Sequence, residues 1–276
     1  MALIEDFVAG RTPPDLYAAY LTPMFRAWAD QLVGAHPPFG HVLDLACGTG
    51  IVSRALSAAP TVERVSAIDV AAPMVAKATA LSQDNPNITF SLASADDLPF
   101  QDQIFDAVYC QQGLQFFPDK PGALAEARRV IKPGGRMVFA VWTAASDGCP
   151  AFAALEDIVA RELGEAFVPF GPFSFGDPNA LRAIVDAAGL NVLALEKRSL
   201  LSRLPDPRTL VLFDLIFLGR PASDGSLQPL FDPEDASKDA LIEKMIAEYS
   251  EAVSEYLQSD GTLLAPMSAH ILTVGA

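Results

Sequence analysis

Short β-rich runs alternate with helix-like stretches between residues 41 and 142. This alternation predicts parallel strands that are joined by helical crossovers, with helices on both faces of one sheet. Ligands of such sheets bind at the carboxyl ends of the strands, so the residues that follow each run are the candidates for a functional site. The predicted strands are "HVLDLA" (41–46), "RVSAIDV" (64–70), "ITFSLA" (88–93), "FDAVYCQQ" (105–112) and "RMVFAVW" (136–142).

The rest of the chain is predicted to be largely helical. Residues 1–40 are typical of helix, and an amino-terminal helix is predicted to carry an aromatic stripe at Tyr17, Tyr20, Phe25 and Trp28. After residue 142 we predict helices near 150–163, 179–189, 207–218 and 236–258, and strands near 191–202 and 262–275. The whole is predicted to be one α/β domain, a doubly wound, mostly parallel, seven-stranded sheet with helical cap insertions. Its core comprises 40–145, 178–203 and 261–276, and its cap comprises 1–39, 146–177 and 204–260. Because the inserts follow strands on the ligand side, we expect the cap to cover the site.

Charge and cysteine usage exclude several classes of protein. Lys and Arg number 19 against 34 Asp and Glu, a formal charge of −15. Nucleic acids and anionic membranes are bound through Lys and Arg, so neither is an expected partner. The three cysteines do not have the spacing of a disulfide framework or of a zinc site, so no metal is expected. The start of the chain lacks the pattern of a signal peptide, and the most apolar window (209–219) is shorter than a membrane span of about 20 residues. We expect a soluble, cytoplasmic protein of open oligomeric state.

The stretch "DLACGTG" (44–50) places two glycines between a predicted strand and a predicted helix. Gly48 and Gly50 permit a sharp turn and a close approach of the backbone to a ligand, although a purely structural turn is the alternative. Asp69 ends the next strand, where a carboxylate accepts hydrogen bonds from a ribose diol. Ser53 stands where a dinucleotide site has its third glycine, and Asp44 would repel a pyrophosphate but suit an ammonium or a sulfonium. A nicotinamide dehydrogenase is therefore disfavoured.

Four motifs in register resemble the class I S-adenosylmethionine-dependent methyltransferases. They are "VLDLACGTG" (42–50), "AIDV" (67–70), "ASADDLPFQDQIFDAV" (93–108) and "RRVIKPGGRMVF" (128–139). The chain looks most like the small-molecule branch that includes the ubiquinone/menaquinone-biosynthesis C-methyltransferases. The resemblance covers about residues 40–142 and implies a Rossmann-like methyltransferase fold with S-adenosyl-L-methionine as the cofactor.

The resemblance also implies a role for individual residues. Asp44 and the backbone around Ala46, Gly48 and Gly50 would hold the methionine part of the cofactor, and Asp69 would hold the ribose. Ser94 stands where the family usually has an aspartate that receives the adenine amino group, with Asp96 as a substitute if the register shifts. The implied cofactor-binding set is Asp44, Ala46, Gly48, Gly50, Asp69, Val70, Met74, Ser94, Ala95, Asp96 and Gln111. "KPGG" (132–135) is interpreted as a structural turn before the fifth strand.

The acceptor site is less well defined by the sequence. The candidates for substrate binding are Gln112, Phe116, Tyr17 and Tyr20, and the weak candidates for a general base are Tyr20 and His270, a core histidine being the alternative for His270. The cap is rich in phenylalanine, which suits a small apolar acceptor or simply forms the core of the cap. These cap residues are Phe167, Phe170, Phe173, Phe175, Phe213 and Phe217.

The predicted activity is methyl transfer from S-adenosylmethionine to a small, largely apolar molecule by in-line displacement. Such a reaction needs the acceptor held close to the sulfonium in a dry pocket, and little covalent help from the protein. The alternative is a protein of the same fold that binds the cofactor without transferring its methyl group, either another enzyme or a regulator. Formation of S-adenosylhomocysteine distinguishes the two.

Overall fold

The computed structural model describes residues 2–164, 171–217, 219–221, 227–229 and 235–275. The helices are α1 Leu3–Val8, α2 Pro13–Tyr20, α3 Thr22–Ala35, α4 Ile51–Ser57, α5 Ala72–Leu81, α6 Lys120–Val130, α7 Pro150–Leu163, α8 Pro178–Ala187, α9 Pro207–Phe217 and α10 Asp239–Ala252. The strands are β1 Gly40–Leu45, β2 Val62–Asp69, β3 Ile88–Leu92, β4 Phe105–Gln111, β5 Ile131–Trp142, β6 Asn191–Leu204, β7 Gly219–Pro221, β8 Leu227–Pro229 and β9 Leu263–Gly275. Phe167 and Phe170 lie outside the described residues, and of Phe217 only the backbone is described.

Seven of these strands form one sheet in the order β3-β2-β1-β4-β5-β9-β6. The pairs β1–β2, β2–β3, β1–β4 and β4–β5 are parallel, whereas β9 runs antiparallel to β5. The predicted fold class is therefore confirmed. Strand β1 lies where the order reverses, because β2 and β4 flank it on opposite sides, and ligands of open α/β sheets bind at such a point.

The central strands form because they are apolar along nearly their whole length. β1 and β4 are buried at almost every position, as expected for parallel strands that are covered on both faces. The edge strand β3 has no fully buried residue. Helices α6 and α8 pack against one face of the sheet and form an apolar core with it, which includes Leu124 and Leu181. Both helices begin with an aspartate cap and a proline in the first turn, which fixes where they start.

The contacts divide the chain into two compact units. The sheet unit comprises Phe25–Thr143, Phe175–Ser199 and Ser268–Ala276, and the helical unit comprises Met1–Met24, Ala144–Ser174 and Leu200–Met267. The predicted cap included residues 1–39, yet residues 25–39 belong to the sheet unit. The reason is that Phe25 and Trp28 contact Trp142 of β5, with ring centroids 6.1 and 5.2 Å apart. The predicted role of the cap as a lid stays a prediction.

Two local predictions need correction. The aromatic stripe of residues 17–28 does not lie on one helix, since α2 ends at Tyr20 and α3 starts at Thr22. The "KPGG" stretch is not a turn before the fifth strand but lies inside β5. There the pairing with β4 skips from Ile131 to Arg136, so residues 132–135 interrupt the regular register of the strand, and Gly134 has a φ of 80°.

The helical unit is built mainly from α7, α9 and α10. Ion pairs link α7 to α10 through Lys244 and Glu162 (2.8 Å) and α9 to α10 through Arg208 and Glu243 (2.8 Å). The apolar face of α10 is formed by Ile242, Met245, Ile246 and Tyr249, at the spacing of a buried helical stripe. None of the described helices is both long and apolar enough to cross a membrane.

Candidate cofactor site at the carboxyl edge of the sheet

Asp44 lies next to the end of β1, and only 1% of its surface is exposed. The hydroxyl of Ser53 donates a hydrogen bond to its Oδ2, whereas its Oδ1 has no partner among the described residues. Burial, with a smaller contribution from the neighbouring Asp69, raises the pKa of this carboxyl to about 7, although the hydrogen bond from Ser53 opposes the shift. Ser53 stands where a dinucleotide site would have its third glycine, and its hydroxyl orients and stabilises the carboxylate of Asp44.

The turn after β1 has a strained backbone. Ala46 has a φ of 60°, Gly48 of 52° and Gly50 of 77°. Positive φ is common for glycine but costs energy for alanine, and such strain is concentrated at functional sites. The turn is fixed to β2, since the Cys47 amide donates to the carbonyl of Ile68 at 2.8 Å. The Thr49 hydroxyl in this turn is buried and has no partner among the described residues.

Asp69 at the end of β2 holds this turn from the other side. Its Oδ2 accepts a hydrogen bond from the Gly48 amide at 2.8 Å, and its Oδ1 accepts one from the Ala71 amide at 2.9 Å. Sequence reasoning missed this structural role. Each carboxylate oxygen can accept a further bond, so the side chain stays available to a ligand. Next to it, Val70 is 74% exposed, and Met74 on α5 is half-buried.

Ser94 and Asp96, the two alternative partners predicted for the adenine amino group, lie together just after the end of β3. The Ser94 hydroxyl donates a hydrogen bond to the carboxylate of Asp96. Ala95 between them is buried, whereas Asp96 is exposed and Ser94 is half-buried. The serine and the aspartate therefore act as one polar group at this end of the strand.

Three buried glutamines lie at the end of β4 and just after it. The Gln111 amide donates to the carbonyl of Phe25 at 3.0 Å, which leaves only its Oε1 without a partner. Gln112 has a φ of 54° and donates its backbone amide to the carbonyl of Ala140 at 2.8 Å. Gln115, which sequence reasoning missed, is 5% exposed and lies in the short 3₁₀ turn Leu114–Phe116. The signal that could have found it is a third glutamine close after Gln111 and Gln112. Phe116 beside it is 58% exposed.

The remaining candidates are Tyr17, Tyr20 and His270. Tyr17 and Tyr20 belong to the helical unit, and the Tyr20 hydroxyl accepts a hydrogen bond from Arg11 while its ring stacks on Phe7 at 5.5 Å. His270 is buried in β9, and its Nε2 lies 3.0 Å from the carbonyl oxygen of Gly176. This contact is typical of a core histidine. Within the described ranges, no group of three His, Cys, Asp or Glu residues is placed to hold a metal ion.

The sequence and the fold both match known methyltransferases. Residues 43–139 match the model of a methyltransferase domain family. The chain is 37% identical over 123 residues to a ubiquinone/menaquinone biosynthesis C-methyltransferase of Bartonella tribocorum, a match that covers 42% of this chain and 47% of that protein. The chain thus spans about half the length of the curated relatives that it matches.

Solved structures agree on the fold at low sequence identity. A protein of Bacillus halodurans C-125 that is regarded as a methyltransferase is 18% identical, with a TM-score of 0.56 and 90% of this chain and 97% of that chain covered. The [4+2]-cyclase SpnF is also 18% identical, with a TM-score of 0.52 and coverage of 91% and 80%. The segment of residues 43–139 is a class I S-adenosylmethionine-dependent methyltransferase domain, and S-adenosylmethionine is the cofactor of that class.

Proposed function

We propose that this chain transfers the methyl group of S-adenosylmethionine to a small, largely apolar acceptor. The observation that carries the proposal is the site at the ends of β1 and β2, where Asp69 holds the glycine turn beside the buried Asp44. The curated relatives are named for the biosynthesis of ubiquinone and menaquinone, and quinones are apolar molecules. The activity of the whole chain, its acceptor and its partners are all part of the proposal.

The residues at this edge fit the cofactor chemically. Asp44 Oδ1 and the Thr49 hydroxyl are buried polar atoms that have no partner among the described residues, and both would be satisfied by the amino-acid end of the cofactor, which carries an ammonium group. The free lone pairs of Asp69 would accept the ribose hydroxyls. The exposed Val70 and the half-buried Met74 would pack on the adenine, whose amino group would be received by Ser94 together with Asp96.

The bound cofactor would supply an activated methyl group on a sulfonium, so the protein has little covalent chemistry to perform. Its residues would bind and orient the two reactants and exclude water from the space between them. An acceptor with an acidic proton would also need a base. Asp44 is a buried carboxylate at this edge, but its proposed partner is the amino-acid end of the cofactor, so it is not available as a base. We therefore assign no general base.

The alternative is a protein that binds the cofactor without methyl transfer. The observation that favours it is the similarity of this fold to a [4+2]-cyclase, which shows that the fold also occurs in an enzyme named for a different reaction.

Isotope transfer tests the proposal against this alternative. The protein is incubated with S-adenosylmethionine labelled in its methyl group and with a bacterial extract that is separated into solvent-soluble molecules, nucleic acid and protein. We expect label in the solvent-soluble fraction together with S-adenosylhomocysteine. The variant Asp69→Ala should lose the transfer and bind S-adenosylhomocysteine less tightly by about 1.5–3 kcal/mol, the scale for hydrogen bonds to a charged acceptor. Asp97→Ala, which removes an exposed carboxylate, is the matched control.

The other outcomes of the labelling experiment separate the acceptor class, the alternative function and the cofactor assignment. Label in the nucleic-acid or protein fraction contradicts the small-molecule acceptor. Tight binding of S-adenosylmethionine without product in any fraction supports the alternative function. No binding of either nucleoside refutes the cofactor assignment for this chain.

A further inference from the structure

We propose that Gln112 and Gln115 form an amide pair that recognises a neutral hydroxyl group on the methyl acceptor. This inference rests on the proposed methyl transfer and names the polar group that the acceptor must carry. No sequence motif points to Gln115, so the proposal gives this residue a role in substrate binding. It also names a hydroxyl group as the binding partner of Gln112.

The first observation is a set of unsatisfied polar atoms. Gln112 and Gln115 are 6% and 5% exposed, and neither side-chain oxygen nor side-chain nitrogen of either residue has a hydrogen-bond partner among the described residues. Buried amides nearly always have partners, because an unpaired one loses its hydration without compensation. Gln111 provides the contrast, since its side-chain nitrogen is engaged by the Phe25 carbonyl. The two later glutamines are therefore free to bind a ligand.

The second observation is the backbone that holds Gln112. Its φ of 54° is unfavourable for a residue with a side chain, and its amide is fixed to the Ala140 carbonyl of β5. The next residue, Gly113, has no room for a side chain, since a Cβ there would lie 2.6 Å from the Cβ of Ala46 and 3.0 Å from the Sγ of Cys110. Gln112 is thus fixed beside the turn that follows β1, where we place the cofactor.

The chemistry of an amide pair selects the acceptor. Each amide offers N–H donors and a carbonyl acceptor and carries no net charge. A hydroxyl group donates one hydrogen bond and accepts up to two, so it can satisfy one amide oxygen and both amide nitrogens. A carboxylate would leave the amide oxygens unpaired, and an ammonium would leave the amide nitrogens unpaired.

Four probes with the same apolar ring system test this selectivity on the protein loaded with S-adenosylhomocysteine. They are 2-naphthol, its methyl ether, 2-naphthoate and 2-naphthylmethylammonium, and their binding is measured by calorimetry. We expect the wild type to bind 2-naphthol at least about tenfold more tightly than each of the other three. In Gln112→Met and in Gln115→Met this preference should fall below about threefold, because one half of the amide pair is lost.

Two controls separate recognition from a structural role. Gln103→Met is the matched control, because Gln103 also has a positive φ (57°) but is exposed, and this variant should keep the preference. In the protein without ligands, Gln115→Met should raise the melting temperature, because it removes a buried amide that has no partner among the described residues. A lower melting temperature would mean that the amide is structural, and it would overturn the inference.

The other results are equally decisive. The inference is wrong if the charged probes bind as well as 2-naphthol, if no probe binds to the loaded protein, or if the methyl ether binds equally well. It is also wrong if either methionine variant weakens the binding of S-adenosylhomocysteine tenfold or more, because the amides would then serve the cofactor. Failure of the wild type to bind S-adenosylhomocysteine would instead refute the proposed function itself.

Discussion

At the scale of single residues, the site depends on polar groups that the protein leaves incompletely satisfied. Asp44 is buried with one oxygen bonded to Ser53 and the other without a partner among the described residues. Such an arrangement destabilises the free protein but prepares the site for a cationic ligand, because a partner that arrives with the ligand restores the missing interaction.

The ionisation of Asp44 gives a testable pH dependence. Its pKa of about 7 lies well above the value of about 3.9 for an unfolded chain, so its contribution to stability is complete below pH ~4 and is lost as the pH rises through 7. A ligand ammonium favours the ionised form. We therefore expect the affinity for S-adenosylhomocysteine, whose amino group stays protonated over this range, to rise by about tenfold between pH 6 and pH 8.

Calorimetry at pH 6, 7 and 8 measures this dependence. Asp44→Asn should bind weakly with little change across the range, whereas Asp97→Asn should follow the wild type. In Ser53→Ala the midpoint should move to higher pH, because that hydrogen bond lowers the pKa of Asp44. Equal slopes for the wild type and Asp44→Asn would contradict the assignment.

At the scale of elements, the junction between β1 and α4 determines the shape of the site. Gly50 caps α4 in a left-handed conformation, and a Cβ there would lie 3.0 Å from Phe90 and 3.1 Å from Arg54. Gly48 also has a positive φ, but nothing lies within 4 Å of the position of its Cβ. Gly48 is thus required for its backbone conformation only, whereas Gly50 is required both for its conformation and for close packing against Phe90 of β3.

The two glycines should therefore differ in their tolerance to alanine. Gly48→Ala should destabilise the fold by roughly 1–2 kcal/mol, the cost of a left-handed alanine. Gly50→Ala should cost more, because Phe90 and Arg54 must also move. Urea unfolding gives both values. A loss for Gly48→Ala as large as that for Gly50→Ala would show that the close contacts at Gly50 relax without cost.

At the scale of the whole molecule, a second set of titratable groups lies in the helical unit. Burial is the main cause that raises the pKa of Glu156 on α7 and of Asp214 on α9 to about 7. Asp157 contributes to the raised pKa of Glu156, and Glu156 contributes to the raised pKa of Asp214. Tyr249 on α10 is fully buried, and its hydroxyl has no partner among the described residues. When both are ionised, the carboxylates of Glu156 on α7 and Asp214 on α9 repel each other.

We expect this unit to lose stability as the pH rises. The folded pKa values of Glu156 and Asp214 are raised, so their stabilising contribution is complete below the unfolded values near 4 and is lost as the pH passes through about 7. The melting temperature should fall between pH 5 and pH 8, and Asp214→Asn should reduce this fall and be more stable at pH 8. Glu251→Gln, which changes an exposed carboxylate on α10, should behave like the wild type. A fall of the same size in Asp214→Asn would contradict the expectation.

The sequence by itself determined the sheet, the order of its elements and the segment that belongs to the methyltransferase family. The reason is that these features depend on local patterns: apolar runs such as "HVLDLA", prolines at helix starts, and glycines where the chain must turn. It also predicted which residues follow the strands, and the structure places Asp44, Asp69 and Gln112 at the same edge of the sheet, because the carboxyl ends of parallel strands share one edge.

Only the tertiary structure decided what these side chains contact. The Ser53 hydroxyl reaches Asp44 because α4 turns back over β1, and no local pattern reports that distance. Residues 25–39 join the sheet unit because Trp28 packs on Trp142, more than a hundred residues further along the chain. That the side-chain amides of Gln112 and Gln115 have no partner among the described residues is likewise visible only in the tertiary structure. Hydrogen bonding and burial are properties of groups distant in sequence, so they are fixed by packing and not by local pattern.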